Sequence, residues 1–326
     1  MKKFADLHED ILVYFEEPEL LDCDPALTAD FRTMNAGRHS DVESYLATNT
    51  KIVFGAVFPY TESEDHKFLP KPVKEIEAQV QRYHQIIAEH PEFVLVKSKK
   101  DLEQVLASDK TVGIVLHLEG FGGISSASEL QRFYDMGVRS AGLCWNSDNP
   151  VCSHCEAGQD NGLSEVGHEF VKEIIRLGMV LDLSHSSFKT QETILKTYDY
   201  KKIIYSHSGV WEEFPFSQNI KMEFAKEVKA RGGLLGITFY DRAIRGKNEG
   251  TVADYLKHLE FLRDYADSVA IGTDFFGFKN HRGLKEVDRI TDLPVLYESV
   301  SKQFSEEFAD NLFYKNVLKF LENNLA

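Results

Sequence analysis

Met179-Val180-Leu181-Asp182-Leu183-Ser184-His185, then Phe188 to Lys196, then Ile203-Ile204-Tyr205-Ser206-His207: the fold is decided in this stretch. Two short apolar runs, each closing on Ser-His, flank a segment of helical length and composition. That reads as strand, helix, strand, and two strands joined through a helix run parallel. Each run therefore sets a histidine just past the same end of a parallel sheet.

The alternation continues on both sides. Helix Ser164 to Leu177 comes before Met179; helix Lys221 to Ala230 leads to the strand Leu234 to Phe239, which ends at Tyr240. Tyr255, Leu259, Leu262 and Ala266 mark a further helix, and Val269-Ala270-Ile271-Gly272 carries the chain to Thr273-Asp274. Toward the N-terminus, Arg139 to Leu143 leads into Cys144-Trp145-Asn146. The run Thr111 to Leu118 delivers Glu119 into the tight turn expected of Gly120-Phe121-Gly122-Gly123. A helix near Ala127 to Met136 lies between them. Ile52 to Phe58 reads as a buried strand, followed by an amphipathic helix with Ile76, Val80, Tyr83 and Ile87 on one face. Phe4-Ala5 opens a strand that ends in Asp6-Leu7-His8-Glu9-Asp10, and Glu16 to Ser40 is loop-rich. Phe313, Val317 and Phe320 mark the last buried helix face.

Strands beginning near Phe4, Lys51, Thr111, Arg139, Met179, Ile203, Leu234 and Val269 number about eight, most separated by helices. That is the pattern of an α/β fold, a (β/α)8 TIM barrel with elaborated loops. One domain over residues 1–326 is expected, because no Pro/Gly/Ser-rich linker divides the chain.

In such a barrel the C-terminal strand ends ring one mouth, where catalytic groups gather. That mouth would collect His8, Asp10, Glu119, His185, His207, Tyr240 and Asp274. Taken singly, each histidine or carboxylate is an ordinary loop residue. Together they form a metal-ligand inventory: three imidazoles with Asp10 and Glu119 exceed one tetrahedral zinc, whereas two Zn2+ ions sharing Glu119 as a bridge would use them all. Manganese or iron would suit the same donors. His117 is expected inside the barrel, packing or supporting a ligand. His84, His90, His168 and His258 fall on helices or their ends and are expected to be solvated.

Composition narrows the function classes. A net charge of −15 leaves no basic surplus to neutralise phosphates, so nucleic acid is not an expected partner. No window is apolar enough to span a bilayer, and Met1-Lys2-Lys3-Phe4-Ala5-Asp6 turns acidic before a leader could develop. With only four cysteines and no disulfide framework, a reducing, cytoplasmic setting is the expectation. The lone Cys152-x-x-Cys155 lacks the second pair a structural zinc needs.

In order along the chain, these motifs resemble those of the membrane (renal) dipeptidases, the M19 metallopeptidases of the amidohydrolase superfamily. The family's D-x-H-x-D looks like Asp6 to Asp10, its E-G-G turn like Glu119-Gly120, and its D-L-S-H like Asp182 to His185. Its S-H-S matches Ser206 to Ser208, its N-F-Y looks like Thr238-Phe239-Tyr240, and its G-S-D-F-D-G resembles Gly272 to Gly277. The resemblance implies a zinc-dependent dipeptidase in which His8 and Asp10 bind one metal, His185 and His207 the other, and Glu119 bridges them. It further implies Asp274 as general base and acid, substrate contacts at Trp145, Asn146, Gln218 and Tyr240, and a homodimer.

The departures fall in the substrate shell. Cys144-Trp145-Asn146 stands where mammalian-type members carry T-H-N, which removes one polar donor. Ser217-Gln218-Asn219 stands where the family's R-N holds the substrate carboxylate, and glutamine cannot supply that charge. Lys221, Arg242 or Arg245 could replace it. Phe276 occupies the place of the family's second aspartate. These changes keep two rivals in view: hydrolysis of an acylamino acid, lactone or other small amide, and a catalytically silent barrel used for binding.

Overall fold

The computed structural model describes residues 2–16, 31–32, 39–58, 60–62, 68–246, 250–278 and 283–326. Most of the loop-rich segment Glu16 to Ser40 therefore lies outside the described residues. Eight parallel strands form a closed barrel: β1 (Phe4–Glu9), β2 (Thr50–Val57), β3 (Val112–Glu119), β4 (Val138–Gly142), β5 (Val180–Asp182), β6 (Ile203–Ser208), β7 (Leu234–Ile237) and β8 (Val269–Ile271). The order is β2-β1-β8-β7-β6-β5-β4-β3, and β2 pairs with β3 from Ile52↔Gly113 to Val57↔Leu118 to close the ring. A closed ring leaves no edge among the eight except where Phe93–Leu95 adds to β3.

The helices form where expected because sequence supplies their ends. Ser164 caps Glu165–Leu177 by accepting from the Gly167 amide, and Gly178 ends it in the left-handed region at φ 69°. Ser187 caps Phe188–Thr197 in the same way. Inside the barrel, Ala5, Leu7, Ile52, Phe54, Val115, Val180, Ile204, Leu234 and Ala270 pack as one cluster, which Val317, Phe320 and Leu321 of Asn316–Asn324 extend away from the mouth. A second, larger core lies between strands and helices.

Some elements carried too little pattern to be read. Phe93–Leu95, and the hairpin Tyr60–Glu62 with Phe68–Pro70, are three-residue strands, shorter than any periodicity test can resolve. Helices Lys99–Leu106 and Leu293–Gln303 complete the layer outside the sheet.

The expectation that the helical histidines are solvated fails at His258. It is fully buried, its Nδ1 accepting from the Val210 amide and its Nε2 donating to the Ile244 carbonyl, each at 2.9 Å. Two loop backbone groups that water cannot reach are satisfied by one neutral ring. His90 is buried too, while His84 and His168 are partly so, on the Met136 carbonyl and the Tyr198 hydroxyl.

Candidate metal centre

Regular strands do not by themselves aim the mouth residues inward; irregular ones do. Across β1 and β2 the register runs from Asp6↔Val53 to Glu9↔Gly55, so β1 holds one extra residue beside His8. Between β6 and β7 it runs from Tyr205↔Leu235 to Ser208↔Ile237, with the extra residue at Ser206-His207. Bulges of this kind re-aim a side chain without ending the strand. His185 and Asp274 are placed differently, at φ 63° and 65°, in a region that non-glycine residues seldom enter.

These devices bring together the residues expected of a metal site. His8 Nε2 lies 3.3 Å from Asp10 Oδ2, 3.5 Å from Glu119 Oε1 and 4.0 Å from Asp274 Oδ1. Glu119 Oε1 also lies 3.1 Å from His185 Nε2 and 3.6 Å from His207 Nε2. All six side chains are buried. Two sets of ligand atoms each fall within 4.8 Å of one another: His8, Glu119 and His207, and His8, Asp10 and Asp274.

Hydrogen bonds decide which imidazole nitrogen faces the centre. Ser206 Oγ donates to Asp182 Oδ2 and so accepts from His207 Nδ1 at 2.8 Å. Asn146 Oδ1 accepts from His185 Nδ1 at 2.9 Å. Both Nε2 atoms then present lone pairs, and they face each other at 2.7 Å. Two acceptors so close need a cation or a proton between them. His8 Nε2, though buried, makes no hydrogen bond. This donor set, imidazole nitrogens around a shared carboxylate, fits divalent cations of the zinc, manganese or iron type.

The charges among these groups also conflict. Burial, then Glu119, pushes Asp10 up to about 6. Burial, then Asp10, raises Asp274 well above the carboxylate range. Burial works against a charged His8, but the Glu119 and Asp10 carboxylates override it and hold its pKa high. His207 is driven well down by burial and by His8 and His185. Crowded carboxylates beside imidazoles that cannot all be protonated are the electrostatic complement of a bound cation.

Several supporting residues went unread in the sequence. Asp6 accepts from the His8 amide, the Thr273 amide and the Thr273 hydroxyl, tying the end of β1 to the end of β8. Asp182 accepts from the Ser184 and Ser206 amides and from Ser206 Oγ, and its Oδ2 lies 3.4 Å from His117 Nε2. Both stood inside quoted motifs, and a carboxylate two or three residues before a histidine was the available signal. Gly277 is a third. A β-carbon there would lie 2.5 Å from Asp10 Oδ2 and closer still to Asp274 Oδ1.

Around the mouth, Trp145 meets Phe58 edge-on at 4.6 Å and stands 6.4 Å from the His185 ring. Tyr240 stacks on Phe278 at 5.7 Å. Gln218 is buried, and its carbonyl accepts from Ser208 Oγ. Asn219 bonds the Gly209 amide and the Phe214 and Ala243 carbonyls, so it holds the loop. Phe276, at φ 67°, packs with Tyr14, Phe31 and His39. Cys144, Cys152 and Cys155 are free thiols, and the Cys155 amide donates to the His185 carbonyl at 2.7 Å.

The sequence profile of the membrane dipeptidases, peptidase family M19, matches residues 2–325. The chain belongs to that family. Its relatives include an uncharacterised dipeptidase of Schizosaccharomyces pombe, 33% identical over 56% of this chain and 46% of that one. Another is dipeptidase aclJ of Aspergillus oryzae, 27% identical over 76% of this chain and 61% of that one. The chain thus spans about half of the curated relatives it matches. Among solved structures, a metallopeptidase of Rhodobacter sphaeroides, bound to a phosphinate mimic of the dipeptide L-Ala-D-Ala, superimposes with a TM-score of 0.83 at 21% identity, covering 99% of both chains. The probable dipeptidase PvdM of Pseudomonas aeruginosa gives 0.81 at 16% identity over 99% of this chain and 94% of that one. At those identities the likeness establishes the shared barrel fold. M19 enzymes are metal-dependent hydrolases; among the described residues of this member, no helix is long and apolar enough to cross a membrane.

Proposed function

We propose that the protein is a binuclear metallo-dipeptidase, with His8 and Asp10 holding one divalent cation, His185 and His207 a second, and Glu119 shared between them. The observation that carries this reading is the convergence of three imidazole Nε2 atoms on Glu119 Oε1, two of them 2.7 Å apart with lone pairs opposed. Zinc is the cation of first choice, and the same donors accept manganese or iron. Bound there, a cation pair would supply Lewis acidity toward water and the scissile carbonyl.

The chain's own residues supply the rest. Asp274, raised by burial and by Asp10, is suited to take a proton from the attacking water and return it to the departing amine. Its amide donates to the His8 carbonyl at 3.1 Å, which fixes the base to the strand carrying a metal ligand. Trp145, 6.4 Å from the His185 ring, and Tyr240, stacked on Phe278, would wall the substrate side of the mouth. Asn146 acts through His185, whose ring it orients, so its contribution is to ligand geometry.

Metal analysis with an activity screen tests the reading. Protein loaded with Zn2+ or Mn2+ is expected to retain about two equivalents per chain and to hydrolyse L,L or L,D dipeptides. N-acyl amino acids and lactones in the same screen expose the rival substrate classes. Failure to retain metal, or hydrolysis unaffected by chelation, refutes the proposal.

A further inference from the structure

Asp274 and Phe276 both stand in left-handed backbone, at φ 65° and 67°, so the turn 274–277 keeps its shape only while its surroundings hold it there. Each amide of the turn has an acceptor. Asp274 donates to the His8 carbonyl at 3.1 Å, Phe275 to Thr273 Oγ1 at 3.1 Å, and Gly277 to the Asp274 carbonyl at 3.0 Å. Those three acceptors belong to the strand ends or to the turn itself. The fourth comes from elsewhere: the Phe276 amide donates to His39 Nδ1 at 2.8 Å, across 237 positions of sequence.

His39 is a well-anchored acceptor. It is buried, its carbonyl accepts from the Ile290 amide at 2.8 Å, and the residues after it are tied down as well. Ser40 Oγ donates at 2.7 Å to Glu9 Oε2, on the residue between His8 and Asp10, and Asp41 caps helix Val42–Thr48. The His39 ring stacks on Phe275 with centroids 5.0 Å apart and planes 9° from parallel, and it meets Phe276 and Phe278 at 5.3 and 5.2 Å. An Nδ1 that accepts leaves the ring proton on Nε2, so the bond fixes the tautomer too. Without that acceptor the amide of the buried Phe276 would be orphaned, and a change of φ in the turn is the shortest route to a new partner. Such a change moves Asp274, whose Oδ1 lies 4.0 Å from His8 Nε2.

Resting on the dipeptidase reading, in which Asp274 is the base, we propose that His39 is a positioning residue for the reaction: its Nδ1 holds the left-handed turn in shape and thereby sets where the Asp274 carboxylate stands. The two contributions of the ring can be separated. Asparagine places an oxygen close to the position of Nδ1 and lacks the stack, whereas phenylalanine keeps the stack and lacks the acceptor. A base misplaced by about 1 Å costs about 100-fold in rate and leaves substrate binding alone, so the loss is expected in kcat and not in KM.

The test compares metal-loaded, full-length wild type, His39→Phe and His39→Asn in kcat and KM on a dipeptide, in metal content, and in exchange of the Phe276 amide, followed by NMR on protein carrying isotope-labelled phenylalanine. Exchange is expected to be slow in wild type and His39→Asn and fast in His39→Phe. In His39→Phe, kcat should fall about 10- to 100-fold with KM and metal content near wild type, and in His39→Asn it should return to within a few-fold of wild type. Wild-type kcat in His39→Phe, an equal loss in both variants, a loss carried by KM or by metal content, or fast exchange in wild type overturns the proposal. Should His39→Phe not fold, His39→Asn decides: kcat within a few-fold of wild type with slow exchange upholds the acceptor, and a fall of about 10-fold or more overturns it. Wild type that hydrolyses no dipeptide but turns over an N-acyl amino acid or a lactone refutes the dipeptidase reading alone, and the variants are then compared on that substrate. Turnover of none of them refutes both.

Discussion

Replacing Gly277 by alanine should cripple the site while leaving the fold intact. The β-carbon it adds would lie 2.5 Å from Asp10 Oδ2 and nearer still to Asp274 Oδ1. Ordinary carbon contacts begin at about 3.5 Å, so each carboxylate must retreat by roughly an ångström. Both are side-chain ends, free to rotate, and the backbone can stay where it is. Gly277 is not among the glycines in the left-handed region, so a side chain there adds no backbone strain. The cost therefore falls on geometry at Asp10, a proposed metal ligand, and Asp274, the proposed base.

A misplacement of about 1 Å in a reacting group costs about 100-fold in rate. Gly277→Ala is accordingly expected to lower kcat/KM on a dipeptide by about that factor. It should also weaken metal retention in chelator competition, with Tm shifted by no more than a few degrees. Gly158→Ala is the control, because nothing lies within 4 Å of a β-carbon there. Wild-type turnover and metal affinity in Gly277→Ala would refute the argument that Asp10 and Asp274 must stand where they do.

Asp182→Asn leaves Ser206 without its carboxylate acceptor and so loosens the tautomer of His207; metal affinity by chelator competition should fall about 10- to 100-fold, and an unchanged affinity would count against the relay. His258 is held neutral, its pKa lowered by burial against the Ile244 carbonyl bond that opposes it. Below about pH 6.5 the unfolded chain binds a proton the folded chain does not. Stability in urea should therefore fall from there toward the lowered folded pKa, and His258→Asn should flatten that slope. Asp254 is depressed to about 2, its burial outweighed by Thr251, Lys257 and Arg245. The advantage of wild type over Asp254→Asn, about 0.5–1 kcal/mol at the helix N-terminus, should be complete above about pH 4 and vanish as pH falls toward about 2.

What the sequence made legible was whatever repeats. The Val-Leu-Asp-Leu and Ile-Ile-Tyr runs, each with a helix beside it, announce parallel strands. A histidine two residues beyond each announces the rim. His258 was misread because helical spacing says which face of a helix is buried, and says nothing about a distant loop in need of a donor and an acceptor; the Val210 amide and Ile244 carbonyl lie 48 and 14 positions away. Asp182 and Asp6 were visible as letters, but their partners Ser206 and Thr273 lie on other strands, and a hydrogen bond over 24 or 267 positions leaves no periodic trace.

The deeper reason the site resists a pattern reading is that its proposed ligands and base stand where the regular structure breaks. His8 and His207 sit at bulges, and His185 and Asp274 occupy left-handed backbone. A left-handed residue with a β-carbon costs about 1–2 kcal/mol, and glycine would relieve that cost at either position. Glycine would also remove the imidazole or the carboxylate. Stability alone would therefore choose the residue that the chemistry cannot use, and the surrounding bonds must make up the difference. Cys155 on the His185 carbonyl and His8 on the Asp274 amide are such bonds, each linking a strained residue to a neighbouring element. Strain held at two points, His185 and Asp274, around one cluster of lone pairs is expected of a centre built to bind cations, and in a barrel kept only for packing it would have no compensating gain.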